Sequence, residues 1–314
     1  MMKRNAHMVA FLIVTTVVPS AGWFLPLTAT AQNQNEISQK FIVSSNKIAG
    51  GDVLLLQITG THPNSPLSNM QLYFNKTAYQ VYPHPLKSDG SYFALVGIPY
   101  YTKPGPKTLT LKFSGPTGDQ SSQITFDVVG GKHRTDVLKV DSKRVDPNQK
   151  NRTRANREHQ EVKHIYASGN TRRLWEGPFQ LPVENEISSS FGNRRIFNGK
   201  LKNYHNGLDF RSPKGTPVYA TNSGIVRVAK NLFYSGNAVI IDHGTEIFTI
   251  YAHLSKIKAV AGQRIEKGQL IGLTGATGRV SGPHLHWGVK VNGIAVNPLQ
   301  FVEVMEGLVG WHEK

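Results

Sequence analysis

The sequence predicts an all-β protein: an N-terminal immunoglobulin-like β-sandwich and a C-terminal antiparallel β domain with an open groove, joined by a basic helical linker. Three observations carry this prediction. From about residue 37 to 130, runs such as DVLLLQITG, SYFALVGIP and KTLTLKFSG alternate apolar with polar residues, and Gly50-Gly51, Asp89-Gly90 and Pro104-Gly105 break them. About seven short strands in roughly a hundred residues is the pattern of a sandwich. Between 131 and 173 the composition turns polar and basic. From Leu174 to about Phe301 the β runs return as PVYA, GIVRVAK, NAVIIDH, EIFTIYAHL and HLHWGVKVNG, punctuated by glycines that let strands and loops close around a groove.

Each element has its own signal. The chain of 314 residues is long enough for two domains. Its first stretch has Lys3 and Arg4, an apolar run from Met8 to Val18, and the small triplet Ala29, Thr30, Ala31. That order predicts a secretory signal peptide over residues 1–31, cleaved after Ala31. A membrane anchor is disfavoured because Pro19, Gly22 and Pro26 interrupt the apolar stretch. The sandwich follows over residues 32–131. In the linker, 132–173, Lys and Arg outnumber Asp and Glu by twelve to five. Asp146 and Pro147 predict a helix start there, Ser168-Gly169-Asn170 a stop, and the composition a solvated interdomain helix. The C-terminal domain is expected over 174–301, and residues 302–314 as a tail, a short helix or a loose end.

Composition narrows the chemistry. The expectation is an exported protein, periplasmic ahead of extracellular, without a stable membrane anchor once the leader is removed. With no cysteine, a metal site must use histidine and carboxylate. The formal charge of +16 suits anionic polymers or surfaces, which in an envelope include wall polymers as well as nucleic acid. No aromatic-rich RNA motif or zinc-knuckle spacing favours nucleic acid, and none is expected as a partner.

Three stretches carry the chemistry. In GPHLHWGV, His284 and His286 fall two apart in a predicted strand, so both imidazoles face one way. Taken alone, the pair is as readily a satisfied sheet-surface feature as a site. In YHNGLDF, His205 and Asp209 share a face if the segment is extended, as Asn206-Gly207 and the following Pro213 suggest. His205, Asp209 and one of the two HLH histidines make an N,N,O set that leaves a fourth tetrahedral position for water, the arrangement of a catalytic zinc site. In TIYAHLSKI, His253 ends another β run. Water on zinc has its pKa drawn down towards about 7, and a neighbouring imidazole can take its proton or steady the developing charge.

The ordered set FGNRR, YHNGLDF, GTPVYA, YAHLS and GATGRVSGPHLHWGV resembles the lysostaphin-type (LytM-like) zinc metalloendopeptidases, which cut peptide bridges in bacterial peptidoglycan. The resemblance covers about residues 180 to 300. It implies a duplicated-hybrid-motif β domain whose groove holds one Zn2+, with His205, Asp209 and His286 as ligands and His253 and His284 as the two non-ligand catalytic histidines. It also implies peptidoglycan stem peptides as substrate, with other cell-envelope proteins as secondary partners. The bond cut would be the D-alanyl to diaminopimelyl cross-link, with a glycine bridge as the alternative.

Further residues have two readings. Arg194 and Arg195 suit a substrate carboxylate or an ordinary surface pair. Tyr204 and Tyr251 suit the groove lining or the core. Asp242-His243-Gly244 reads as a hairpin turn ahead of a further metal group, and GATGRVSG as a turn leading into HLH. A wall-binding scaffold or activator that kept its zinc site is the competing functional class. A biotin or lipoyl carrier barrel lacks its acceptor lysine.

Overall fold

The computed structural model describes residues 12–13, 40–59, 67–115, 118–131 and 133–310. The leader and its cleavage site lie outside the described residues, Leu12–Ile13 apart, as does His312 in the tail. The chain divides into two compact units, Met1–Ile48, Leu54–Val96 and Lys103–Val129 against Ala49–Val53, Gly97–Thr102 and Gly130–Lys314. Strand dominates both.

The first unit is built on two five-stranded sheets. Its longest hairpin pairs Gly105–Gly115 with Gly118–Val129 antiparallel, Gly115 facing Gly118. Alternate residues point inward: Leu109, Leu111 and Phe113 on one strand, Ile124, Phe126 and Val128 on the other. Phe113 meets Phe41 of the other sheet with ring centres 5.9 Å apart, so an apolar layer lies between the sheets.

The second unit centres on an eight-stranded sheet. Its order is Ile187–Ser189, Leu208–Phe210, Leu285–Val291, Ile247–Leu254, Gly236–Asp242, Gly224–Leu232 and Arg264–Ile265, with Ile294–Val296 beside Leu285–Val291. The pairings of this sheet are antiparallel. A three-stranded sheet joins Pro217–Tyr219, Leu270–Leu273 and Lys256–Ile257. Another joins Thr135–Leu138, Arg194–Phe197 and Leu201–Tyr204, and in it the first pair is parallel, an exception to the expected antiparallel pattern.

Three expectations about the chain's organisation change. First, the linker is structural. It contributes strand Thr135–Leu138 to the second unit, and its helix α1, Gln149–Ala167, lays Val162, Ile165 and Tyr166 against Val228, Leu232, Ala238, Ile240, Phe248 and Ala252. An apolar stripe at 162, 165 and 166 has helical spacing, which outweighs the basic composition that suggested a solvated helix. Second, α1 begins later than Asp146-Pro147: Asn148 is the N-cap, its side chain accepting from the Asn151 N–H at 3.0 Å. Third, the domain does not end at Phe301. Helix α2, Pro298–Gly310, buries Phe301, Val304, Met305, Leu308 and Val309, an i, i+3, i+4, i+7, i+8 pattern that packs the expected tail into the unit.

Asp242-His243-Gly244 is a hairpin turn, as its sequence suggested, and His243 is fully buried there. The Ser223 carbonyl, 2.7 Å from Nδ1, can only accept, so Nδ1 carries the proton, and Nε2 lies 2.7 Å from the Thr249 hydroxyl. Burial pushes the His243 pKa down to about 4, against 6.5 in the unfolded chain. The stability held by neutral His243 is complete above pH 6.5 and is lost as pH falls towards 4, by an amount of about 3 kcal/mol. Urea unfolding of the metal-free protein at pH 7 and pH 4, compared with His243→Gln, checks this: the variant should lack that part of the acid loss. An offset identical at both pH values would contradict it.

Candidate metal centre

The three expected ligands come from different elements and converge. His205 follows strand Leu201–Tyr204, and its backbone N–H donates to the Asn193 carbonyl at 2.8 Å. Asp209 is the central residue of Leu208–Phe210 and sits directly across from His286 in the neighbouring antiparallel strand, a pairing that puts both side chains on one face. His205 Nε2 lies 3.0 Å and His286 Nδ1 2.9 Å from Asp209 Oδ1, and the two nitrogens are 3.1 Å apart. Between them Asn206-Gly207 carries the chain from one sheet to another. A Cβ on Gly207 would stand 2.5 Å from the Trp287 carbonyl oxygen and 2.7 Å from the His286 ring, so only glycine lets that ring close onto Asp209.

This donor set suits a divalent cation. The Ser190 carbonyl, 2.9 Å from His205 Nδ1, fixes the proton there, so Nε2 turns a lone pair towards the carboxylate. Burial alone would raise the Asp209 pKa, but its interactions with His205 and His286 outweigh that and hold the carboxyl well below its usual range. Burial likewise pushes His286 down to about 4, against the pull of Asp209, which keeps the ring neutral. Electron-pair donors spaced by 2.9–3.1 Å approach the roughly 3.3 Å between ligands of a tetrahedral ion bound at about 2.0–2.1 Å.

Support comes from the expected linker as well as the domain. The second carboxylate oxygen of Asp209 accepts from Arg195. Ser189 Oγ donates to Asp136 of strand Thr135–Leu138 at 2.7 Å, and lies 3.2 Å from His205 Nδ1. Thus Arg195, expected at the surface or on a substrate, instead holds the Asp209 carboxylate.

His253 and His284 stand beside the three donors. The His284 and His253 ring centres are 4.8 Å apart, and those of His253 and His286 6.0 Å apart. Strict alternation along Ile247–Leu254 would send His253 to the core face with Tyr251. Instead Ala252 and His253 oppose Ala238 alone in a bulge, and His253 takes φ +63°, in the left-handed region that non-glycine residues rarely adopt. Its N–H donates to the Ser235 carbonyl and its Nδ1–H to the Thr277 carbonyl, each at 2.8 Å, so Nε2 is free. His284 is fixed alike, Nδ1–H donating to the Gly282 carbonyl at 2.8 Å, and its Nε2 lies 3.8 Å from Asp209. Burial, reinforced by the neighbouring His284 and His286 rings, depresses the His253 pKa well below its ordinary value.

The expected substrate contacts divide. Tyr204 lines a cavity of about 270 Å³ with His205, Asn203 and Asn206, and its ring stacks on Tyr100 at 4.0 Å. Arg194 is exposed, one residue from Arg195 on the strand paired with Tyr204. Tyr251 does not reach the groove: it is fully buried, its hydroxyl accepting from the Thr221 N–H at 2.9 Å and Thr249 Oγ at 3.0 Å. Its cross-strand partner is Trp287, on the face opposite His286. A larger cavity of about 1010 Å³ runs from His286 over Gly288 and Lys290 to α1. Reading by motif missed Arg279, which lines both cavities; its signal was a lone cation in a turn otherwise made of small residues.

The model of peptidase family M23 matches residues 203–298, a span that holds all five of these donors and histidines. Over that span the chain is similar to the M23 peptidases. Over 124 residues it is 47% identical to the peptidoglycan DD-endopeptidase ShyA of Vibrio cholerae, covering 38% of this chain and 29% of that one. Over 117 residues it is 40% identical to the DD-carboxypeptidase/endopeptidase Mpg of Neisseria meningitidis, covering 37% and 27%. The chain thus spans less than a third of the length of these curated relatives. A crystal structure assigned to the M23 peptidases, from Pseudomonas aeruginosa, is similar over 81% of this chain and 94% of that one, with TM-score 0.60 and 28% identity.

The donor geometry predicts the effect of filling its tightest point. Gly207→Ala should lower zinc affinity by about tenfold to a hundredfold while leaving the chain folded. Competitive zinc titration beside thermal unfolding checks this, and unchanged affinity would contradict it.

Proposed function

We propose that this protein is an exported zinc-dependent endopeptidase that hydrolyses peptide cross-links of peptidoglycan. One observation carries the reading. An N,N,O donor set and two further histidines with free Nε2 atoms converge within the stretch that matches peptidase family M23. The names of the relatives support the substrate class, and the leader pattern supports export. Among the described residues, no helix is long and apolar enough to cross a membrane.

His205, Asp209 and His286 would hold the zinc. When bound, zinc supplies a Lewis acid for the scissile carbonyl and acidifies a water. His253 and His284, each with Nδ1 committed to a carbonyl, offer Nε2 to accept a proton, return it to the leaving amine and steady the oxyanion. The depressed pKa of His253 keeps that ring neutral near pH 7, as a base must be. Tyr204 and Arg194 are assigned to substrate contact at the rim. The D-alanyl to diaminopimelyl bond is the preferred target, and a glycine bridge the alternative.

His286→Ala should abolish zinc binding and turnover together. His253→Ala should keep about one zinc and lose roughly a hundredfold to ten-thousandfold in kcat. Metal analysis beside release of new amino termini from sacculi checks both. A metal-free but fully active His286 variant would overturn the proposal, and binding of sacculi without release by the wild type would favour a scaffold.

A further inference from the structure

Arg279 sits in the loop that organises the histidines. Gly275 in that loop accepts from the His284 N–H at 3.1 Å, and Thr277 accepts from His253 Nδ1. The loop is closely packed: a Cβ on Gly278, which has φ +83°, would fall 2.4 Å from the Gly236 nitrogen and 2.5 Å from the Tyr234 carbonyl oxygen. The Arg279 N–H donates to that same carbonyl at 2.8 Å. The guanidinium lies between two rings, 4.3 Å from the centre of Phe197 and 4.6 Å from that of Tyr234. Contact with two aromatic rings holds the group in place without using its N–H donors, which remain for a ligand.

Three other arginines of the unit that approach its sheets are paired with acids, Arg195 with Asp209, Arg227 with Asp242 and Arg154 with Glu158. Among the described residues no carboxylate lies within ion-pair distance of Arg279. Its surroundings are a 270 Å³ cavity shared with His205, Asn203 and Asn206, and the larger one that reaches His286. Burial and the neighbouring charge of Arg195 disfavour its cation, which an incoming anion would relieve.

We propose that Arg279 is a specificity residue that binds, bidentately, a substrate carboxylate next to the scissile amide. The proposal rests on the endopeptidase reading and deepens it by choosing between its two substrates. In a D-alanyl to diaminopimelyl cross-link, the carbon bearing the scissile nitrogen also bears a free carboxylate. A glycyl-glycyl bond has none. The fixed fork of Arg279 therefore favours the diaminopimelyl link.

The test uses the full zinc-loaded chain and one cross-linked muropeptide in two forms, with that carboxylate free or amidated. Wild type should cleave the free acid with a kcat/KM about tenfold to a hundredfold above the amide. Arg279→Ala should remove the preference, so that acid and amide are cleaved with equal kcat/KM, and Arg279→Lys should recover part of it. Zinc content and melting temperature of each variant report folding, and the wild-type comparison needs no variant. Equal rates on both forms by wild type, or a preference that survives in Arg279→Ala, would overturn the proposal alone. Cleavage of neither form by wild type would overturn the endopeptidase reading and this proposal with it.

Discussion

The second unit is organised around one buried carboxylate. Asp209 lies in a strand flanked on both sides, and an ionised group there is stable only if its neighbours compensate the lost hydration. His205 and His286 meet one oxygen and Arg195 the other, so that single charge ties together strand Arg194–Phe197, the end of Leu201–Tyr204, and Leu285–Val291. The same arrangement directs lone pairs to one point. Satisfying the charge and preparing a cation site are therefore one structural act.

Around that point, backbone and not side-chain chemistry does the aiming. Carbonyls of Ser190, Thr277 and Gly282 hold the Nδ1 protons of His205, His253 and His284. The bulge at Ala252-His253 turns His253 out of the core face, at the cost of a left-handed residue of about 1–3 kcal/mol. Such strain persists only where the surroundings over-determine it, and here two hydrogen bonds, to Ser235 and Thr277, do so.

The clustering of His205, Asp209 and His286 was legible in the sequence because these residues lie in short motifs with strong local patterns. HLH at the start of strand Leu285–Val291, with His284 just ahead of it, and HxxxD around Asn-Gly fix relative placement within a few residues. What was not legible depends on long-range partners. Tyr251 and His253 have the same strand parity, and only the bulge sends one to the core and the other to the site. Asp136 and α1 lie in a segment whose basic composition suggested a solvated linker; the one lends a carboxylate to Ser189, and the other walls a cavity that ends at His286. The role of Arg195 was hidden because adjacent arginines look alike until strand pairing separates their faces. α2 was undercounted because its apolar face has helical spacing but stands at the chain's end, where loose structure is the usual expectation.

The central claim is that His205, Asp209 and His286 form a prebuilt three-ligand centre with His253 and His284 outside it. Anomalous diffraction at the zinc edge from crystals of the zinc-loaded protein tests it most directly. The account predicts one peak bonded to His205 Nε2, Asp209 Oδ1 and His286 Nδ1, at about 2.0–2.2 Å from each. A peak bonded to His253 or His284 in place of one of these three, or none at this site, would contradict it.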